Sequence, residues 1–171
     1  MRPRPGQKLE RPLTAAALSR SALWHLGRRA LTTAELRERL KKKAARHPPE
    51  EQSTAWIDAL IERLSQSLLL DDGKVAQGRV TSARARGLSR RRIEQKLRGV
   101  DVEVRAEAFA VVDDASASDA DLAAAITWAK KKRLAEKDPQ KALAALARQG
   151  FSFSIAKAAL SSSSSSSSSS D

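Results

Sequence analysis

The sequence predicts an all-α protein built as an elongated, curved array of three tandem three-helix repeats. Residues that favour helices are abundant, whereas Tyr is absent and Phe occurs only three times. No run of alternating β-branched residues indicates a strand. A pattern of three helices recurs at a period of roughly 50 residues, which is typical of arrays whose units bury apolar faces partly against their neighbours.

The first repeat is predicted over residues 13–70. Its first helix, over residues 14–29, carries an apolar face formed by Leu18, Ala22, Leu23 and Leu26. Thr32 and Glu35 have the spacing of a capping box and begin a short second helix that buries Leu36 and Leu40. Pro48 and Pro49 then break the chain and start a third helix, which aligns Ile57, Leu60, Ile61 and Leu64.

The second repeat is predicted over residues 71–115. Asp71 or Asp72 caps its first helix, Gly87 ends that helix, and Ser89 caps a short middle helix. Asp101 caps the last helix. The buried positions are expected to be Val75, Ala76, Val80 and Ala83, then Ile93 and Leu97, then Val102, Ala106, Phe109 and Val112.

The third repeat is predicted over residues 116–160. Asp138 and Pro139 begin its second helix, and Ser152 begins its third. The apolar positions of its helices are Leu122, Ala125, Ile126 and Ala129, then Leu143 and Leu146, then Ile155 and Ala159. The polar stretch over residues 113–118 is interpreted as a link between the second and third repeats.

The middle helices of the first two repeats show the repetition most clearly. Residues 31–40 and residues 88–97 align with every apolar anchor and the capping hydroxyl in the same place. The same spacing returns only loosely in the third repeat, around Ala142 and Leu146.

Both ends of the chain lack the composition of a folded segment. Residues 1–12 combine Pro, Gly and cations and are expected to form a disordered basic arm. Residues 161–171 are ten serines and an aspartate, interpreted as a disordered tail. The chain has no Cys, no signal-like apolar start and no span long enough for a bilayer, so we expect a cytoplasmic protein without membrane contact.

The net charge of +12 is distributed in blocks along the chain. Residues 1–46 hold 13 Lys and Arg against 3 acids, residues 79–98 hold 8 against 1, and residues 101–121 hold 7 acids against 1 Arg. So large an excess of cations favours a polyanionic partner, and its uneven distribution indicates an oriented binding surface.

Three segments of the sequence carry motifs that recur together in one known family. The opening segment contains Ala22, Leu23, Leu26, Arg28, Arg29, Leu31, Thr32, Glu35, Leu36 and Leu40. The central segment contains Leu70, Asp71, Asp72, Val75, Ala76, Arg84, Gly87, Arg92, Ile93, Leu97, Gly99 and Val100. The closing segment contains Arg148, Gln149, Gly150, Phe151, Ser152, Ile155, Ala159 and Leu160. In the order and separation of these three segments the sequence resembles the RecX family, although Val75 stands where an aromatic residue is usual.

The resemblance implies a regulatory protein that binds the RecA filament on single-stranded DNA and touches more than one protomer. It would lower ATP hydrolysis and strand exchange or promote disassembly of the filament. The resemblance implies no cofactor and a monomer. The alternative, which depends on the charge alone, is a protein that binds nucleic acid directly without RecA. The residues expected to contact the partner are Arg28, Arg29, Arg37, Lys41, Lys42, Arg84, Arg86, Arg90, Arg91, Arg92, Lys96, Arg98, Lys131 and Arg148.

No pattern in the sequence favours an enzyme. His25 and His47 lack metal-ligand spacing, and Asp71 and Asp72 are interpreted as helix caps rather than metal ligands. A nucleophile elbow and a phosphate-binding loop are both absent from the sequence. The three tryptophans are expected to pack in helical cores rather than to stack on bases, and they are Trp24, Trp56 and Trp128.

Overall fold

A computed structural model describes residues 12–48, 51–113 and 116–165. Within these ranges every regular element is helical, with nine α-helices and one short 3-10 helix, so the all-α prediction is confirmed. The chain divides into two compact units, Met1–Val75 and Ala76–Asp171. The arrangement as three tandem repeats, their boundaries and a curved outline stay predictions.

The first unit contains three complete helices and the start of a fourth. The helices are α1 (Ala15–Leu26), α2 (Thr33–Ala44), α3 (Ser53–Gln66) and the first residues of α4 (Asp72–Ala85). The capping box of α2 is confirmed, because Thr32 Oγ1 accepts from the Glu35 amide at 3.2 Å and the Glu35 carboxylate accepts from the Thr32 amide at 3.2 Å. Helix α3 begins at Ser53, four residues beyond the predicted start at the prolines.

The core of the first unit is an aliphatic cluster formed by all three helices. The predicted positions Leu36 and Leu40 are fully buried, and the predicted face of α3 is buried as well. Asp72 ties the start of α4 to the start of α2, since its Oδ1 accepts from the Thr33 amide at 2.7 Å and from the Thr33 hydroxyl at 3.1 Å. The neighbouring Asp71 caps α4 by accepting from the Lys74 amide at 2.9 Å.

The second unit contains the remaining helices and two further apolar clusters. The elements are the rest of α4, α5 (Arg90–Lys96), α6 (Val102–Val112), α7 (Ala117–Lys131), the 3-10 helix (Leu134–Glu136), α8 (Pro139–Arg148) and α9 (Phe153–Ser165). One cluster is formed by α4, α5 and α6 around Val80, Ile93 and Phe109. The other is formed by α7, α8 and α9 around Ala125, Leu146 and Ala159.

The buried face of α6 differs from the prediction. Val102 is 67% exposed and Ala106 is also exposed, whereas Ala108 and Phe109 are buried. Apolar residues occur all round this helix, so spacing alone could not identify the face that packs. Val104 and Val112 complete the contact with the cluster.

The end of the chain also differs from the prediction in part. Helix α9 continues through Ser165, so the first five serines are helical where a disordered tail was predicted. The hydroxyls of Ser161 and Ser162 donate to carbonyls one turn back, those of Lys157 and Ala158, which satisfies these side chains within the helix. Residues 166–171, like residues 1–11 of the predicted basic arm, lie outside the described residues.

Candidate partner-binding surface

The second unit brings three of the predicted cations into one cleft. Arg91 and Arg92 come from the first turn of α5, and Arg148 comes from the last turn of α8. With Gln95, Ala147, Gln149 and Gly150 they line a space of about 200 Å³. Residues separated by more than fifty positions in sequence thus form one cationic cleft, which we call the arginine cleft.

Short polar contacts hold the two walls of the arginine cleft together. The Ser89 hydroxyl, fully buried, accepts from the Arg92 amide at 3.3 Å and donates to the Gln149 carbonyl at 2.6 Å. Arg92 Nη1 donates to the Arg148 carbonyl at 3.2 Å. Gly150 has a φ of +91°, and a Cβ there would lie 2.8 Å from the Ser89 hydroxyl. The cleft is therefore a preorganised feature of the fold.

The arginine cleft is chemically suited to bind an anion. The side chains of Arg91, Arg92 and Arg148 are exposed. Among the described residues, none of the three forms an ion pair with a carboxylate. Guanidinium groups in this state can donate in pairs to a carboxylate or a phosphate.

Two other predicted arginines of the second unit are engaged inside the fold. The side chain of Arg84 is only 11% exposed and pairs with Asp113 and Asp121. Arg90 pairs with Glu94 at 2.9 Å, and its guanidinium lies 4.4 Å from the centroid of the Phe109 ring. The guanidinium of Arg84 is buried and joins α4 to α7, and the expected contact of Arg84 with a partner stays a prediction.

The remaining predicted cations of the second unit lie at its surface. Arg86 donates from Nε to the Ser82 carbonyl at 3.0 Å and is otherwise exposed. Lys96 and Arg98 are exposed around the end of α5, and Lys131 is exposed in the last turn of α7. The structure does not gather these side chains into the arginine cleft.

The predicted cations of the first unit lie around the end of α1 and along α2. Arg28 and Arg29 are exposed, and the Arg28 guanidinium lies 4.9 Å from the centroid of the Trp24 ring. Arg37 pairs with Asp58 of α3. Lys41 and Lys42 are exposed in the last turn of α2. These cations can complement the negative end of the helix dipole as well as bind a partner.

Trp24 lies at the surface, where the sequence analysis predicts a residue packed in a helical core. It is 58% exposed rather than packed in a core, whereas Trp56 and Trp128 are partly buried against apolar clusters as predicted. Its ring meets His25 edge to face, with centroids 4.9 Å apart. Burial and then the charges of Arg39, Arg29, Lys43 and Arg28 lower the pKa of His25 below 6.5.

The titratable side chains of the described ranges do not assemble into a metal site. No three His, Asp or Glu residues come together there in a way that could hold an ion. Asp71 and Asp72 have the capping contacts given above, and Asp113 serves Arg84. No helix of the described part is both long and apolar enough to cross a bilayer.

Two known proteins are similar in sequence to this chain over most of its length. The chain is 39% identical over 168 residues to the regulatory protein RecX of Myxococcus xanthus, with 89% of this chain and 88% of the relative covered. It is 33% identical over 147 residues to the regulatory protein RecX of Agrobacterium fabrum, with 79% and 77% covered.

The chain belongs to the RecX family. No family model matches it, and no solved structure matches it significantly. Several residues that carry the RecX resemblance stabilise the fold. Phe151 is buried, and the Ser152 hydroxyl accepts a hydrogen bond from the Ile155 amide at the start of α9. Others remain at the surface, and Arg92 and Arg148 of the arginine cleft are among them.

Proposed function

We propose that this protein binds the RecA filament on single-stranded DNA and lowers its ATP hydrolysis, recombinase and strand-exchange activities during DNA repair and recombination. Membership of a family whose relatives are named regulatory proteins supports this proposal. The observation that carries it further is the arginine cleft, a preformed cationic surface on a protein of net charge +12. We propose that the protein acts in the cytoplasm, as a monomer.

The proposed mechanism is binding without chemistry. Exposed cations lie on α2, near the end of α1, on α5 and at the end of α8. Each contact with a carboxylate of the filament would be weak on its own. Contacts linked through one chain strengthen each other by effective concentration, so a chain with exposed cations on both units can hold more than one RecA protomer. A filament held in this way has less freedom to pass through its hydrolysis cycle.

A second candidate is a protein that binds nucleic acid directly and does not require RecA. The same arginine cleft favours it, because guanidinium groups bind phosphate as readily as carboxylate. Affinity that depends on phosphate contacts falls steeply as salt rises, through counterion release. At physiological salt the first function therefore predicts binding to the RecA filament, and the second predicts binding to bare nucleic acid as well.

The experiment measures binding of the labelled protein to bare single-stranded DNA and to RecA filaments on the same DNA, over a range of salt. We expect tighter binding to the filament at physiological salt. Equal affinity for the bare strand and the filament, with a steep salt dependence, would favour the second candidate.

Charge variants test the arginine cleft within the same experiment. Replacing Arg91, Arg92 and Arg148 together by Gln should weaken filament binding about tenfold or more, which corresponds to about 1.4 kcal/mol or more. The matched control replaces three exposed lysines of the same unit by Gln, namely Lys137, Lys141 and Lys157. Equal losses in the two triple variants would mean that only net charge matters.

A further inference from the structure

The first unit contains an open apolar cleft that the charge analysis does not use. It has a volume of about 520 Å³, and its wall includes Leu23, Leu26, Leu31, Leu68, Leu69 and Val75. Three of these leucines are solvent-exposed, Leu23 at 53%, Leu68 at 73% and Leu69 at 56%. Asp71 and Lys74 in the wall pair with each other at 3.2 Å. We call this feature the leucine cleft.

Leu68 has a backbone conformation that leucine rarely adopts. It follows α3 with a φ of +57°, in the left-handed region. The Leu68 amide donates to the Ser65 carbonyl at 3.0 Å and the Leu69 amide to the Leu64 carbonyl at 3.0 Å, which is the pattern of a Schellman helix end. Glycine is the usual residue at this position because a Cβ is strained there.

Two other helix ends of this chain have glycine at this position, whereas Arg133 after α7 is a second non-glycine residue in the left-handed region, with a φ of +49°. Gly87 after α4 and Gly150 after α8 have φ values of +75° and +91° in the same pattern of hydrogen bonds. At the end of α3 the chain instead has a leucine that is both strained and exposed. The exposed Leu68 side chain stabilises the unit little by burial. Contact with a partner therefore explains a leucine at this position better than the stability of the fold does.

Cations surround the neighbouring turn. Gly27 lines the leucine cleft and is followed directly by Arg28 and Arg29, both exposed. Exposed Trp24 adds an aromatic face beside Arg28. His25 lies in the same region, and its pKa is lowered by burial first and then by the charges of Arg39, Arg29, Lys43 and Arg28. An apolar cleft next to concentrated positive charge fits a ligand that is apolar at one point and acidic beside it.

We propose that the leucine cleft receives an apolar side chain from a segment of a partner protein that carries carboxylates next to that side chain. The inference rests on the proposed function, since the partner is then a RecA protomer of the filament. A second copy of this chain fits less well, because it would bring a net charge of +12 and the same cations to the contact. The serine run at the end of the chain offers no apolar side chain.

The test compares the filament affinity of the whole protein with that of Leu68→Gly. This substitution relieves the backbone and removes the exposed side chain, so the thermal midpoint should stay equal or rise while filament affinity falls about tenfold. Leu69→Ser is a second variant with the same expected loss. Val102→Ser, at a valine 67% exposed in the other unit, is the control and should bind like the wild type.

Salt separates the leucine cleft from the cations beside it. The loss caused by Leu68→Gly should persist as salt rises, whereas the loss caused by Arg28→Gln should shrink because it is electrostatic.

Unchanged filament affinity in Leu68→Gly and Leu69→Ser, with a wild type that binds, would overturn this inference and leave the proposed function intact. A wild type that does not bind the filament would overturn both. Self-association that Leu68→Gly abolishes would make a second copy the occupant and also overturn the inference.

Discussion

Arg84 and Asp113 form a two-point ion pair inside the second unit, with Nε 2.9 Å from Oδ1 and Nη2 2.6 Å from Oδ2. The two side chains are 11% and 7% exposed. Burial by itself lowers the pKa of Arg84, but the hydrogen bonds to Asp113 and Asp121 and the charges of both carboxylates raise it above its ordinary value. Arg84 therefore stays charged and joins α4 to α7 and to the chain after α6.

Removing this arginine should destabilise the second unit strongly. Arg84→Met leaves two buried carboxylates without a counter-charge, so we expect a loss of about 3–5 kcal/mol in the free energy of unfolding. Urea unfolding followed by circular dichroism measures it. Arg98→Met, at an exposed arginine of the same unit, should change stability by less than about 0.5 kcal/mol. Similar midpoints for the two variants would refute the role given to Arg84.

Two glycines of one helix region should respond in opposite directions to the same substitution. A Cβ at Gly87 would lie 2.8 Å from the Ala124 carbonyl and from the Trp128 amide nitrogen, and its φ of +75° strains any side chain. A Cβ at Gly78, inside α4, would meet nothing within 4 Å. Gly87→Ala should therefore lower the thermal midpoint. Gly78→Ala should raise it, by an amount equivalent to about 1 kcal/mol. A rise in both would contradict the close approach of α7 to Gly87.

The core of the first unit can be tested at a single leucine. Leu36 is 0% exposed, so Leu36→Asp places an unpaired charge among aliphatic side chains and should cost several kcal/mol, about 3 or more. Lys42, whose side chain is 80% exposed, should tolerate Ala within about 0.5 kcal/mol. Differential scanning calorimetry on both variants decides the matter, and equal shifts would show that the faces of α2 are assigned wrongly.

His25 should make the first unit less stable in mild acid. Because its pKa is lowered in the folded state, the unfolded chain takes up a proton at a higher pH than the folded chain does. The stability that neutral His25 contributes is full above its ordinary pKa of 6.5 and is lost as the pH falls from there through the folded pKa. His25→Gln should lose less stability than the wild type between about pH 7.5 and about pH 5.5. The same urea midpoints at both pH values, in each protein, would exclude this linkage.

Local rules predicted the parts of the fold that are set within a few residues. The cap hydroxyls of Thr32 and Ser89 and the leucines of α2 follow from spacing alone, and the structure confirms them. The face of α6 was missed because apolar residues surround that helix. Spacing places Asp113 in a polar link and does not reveal its pairing with Arg84, because Arg84 lies 29 positions away in the sequence.

The candidate site was predictable as charge but not as geometry. Arg91, Arg92 and Arg148 were each expected at a surface, yet only the contact between α5 and the end of α8 brings them together. Exposure of Trp24 and Leu68 depends on packing that spacing does not show. The sequence does contain one signal of exposed leucines, the run Leu68 to Leu70 at a helix end. In the structure only Leu70 of this run is buried.

The most direct test of the account follows ATP hydrolysis by preformed RecA filaments on single-stranded DNA as this protein is added. Restraint of the filament by binding predicts that turnover falls as the protein approaches stoichiometry with RecA, and that more of the triple arginine variant is needed for the same fall. Turnover that stays constant at a stoichiometric amount of the wild-type protein would contradict the account.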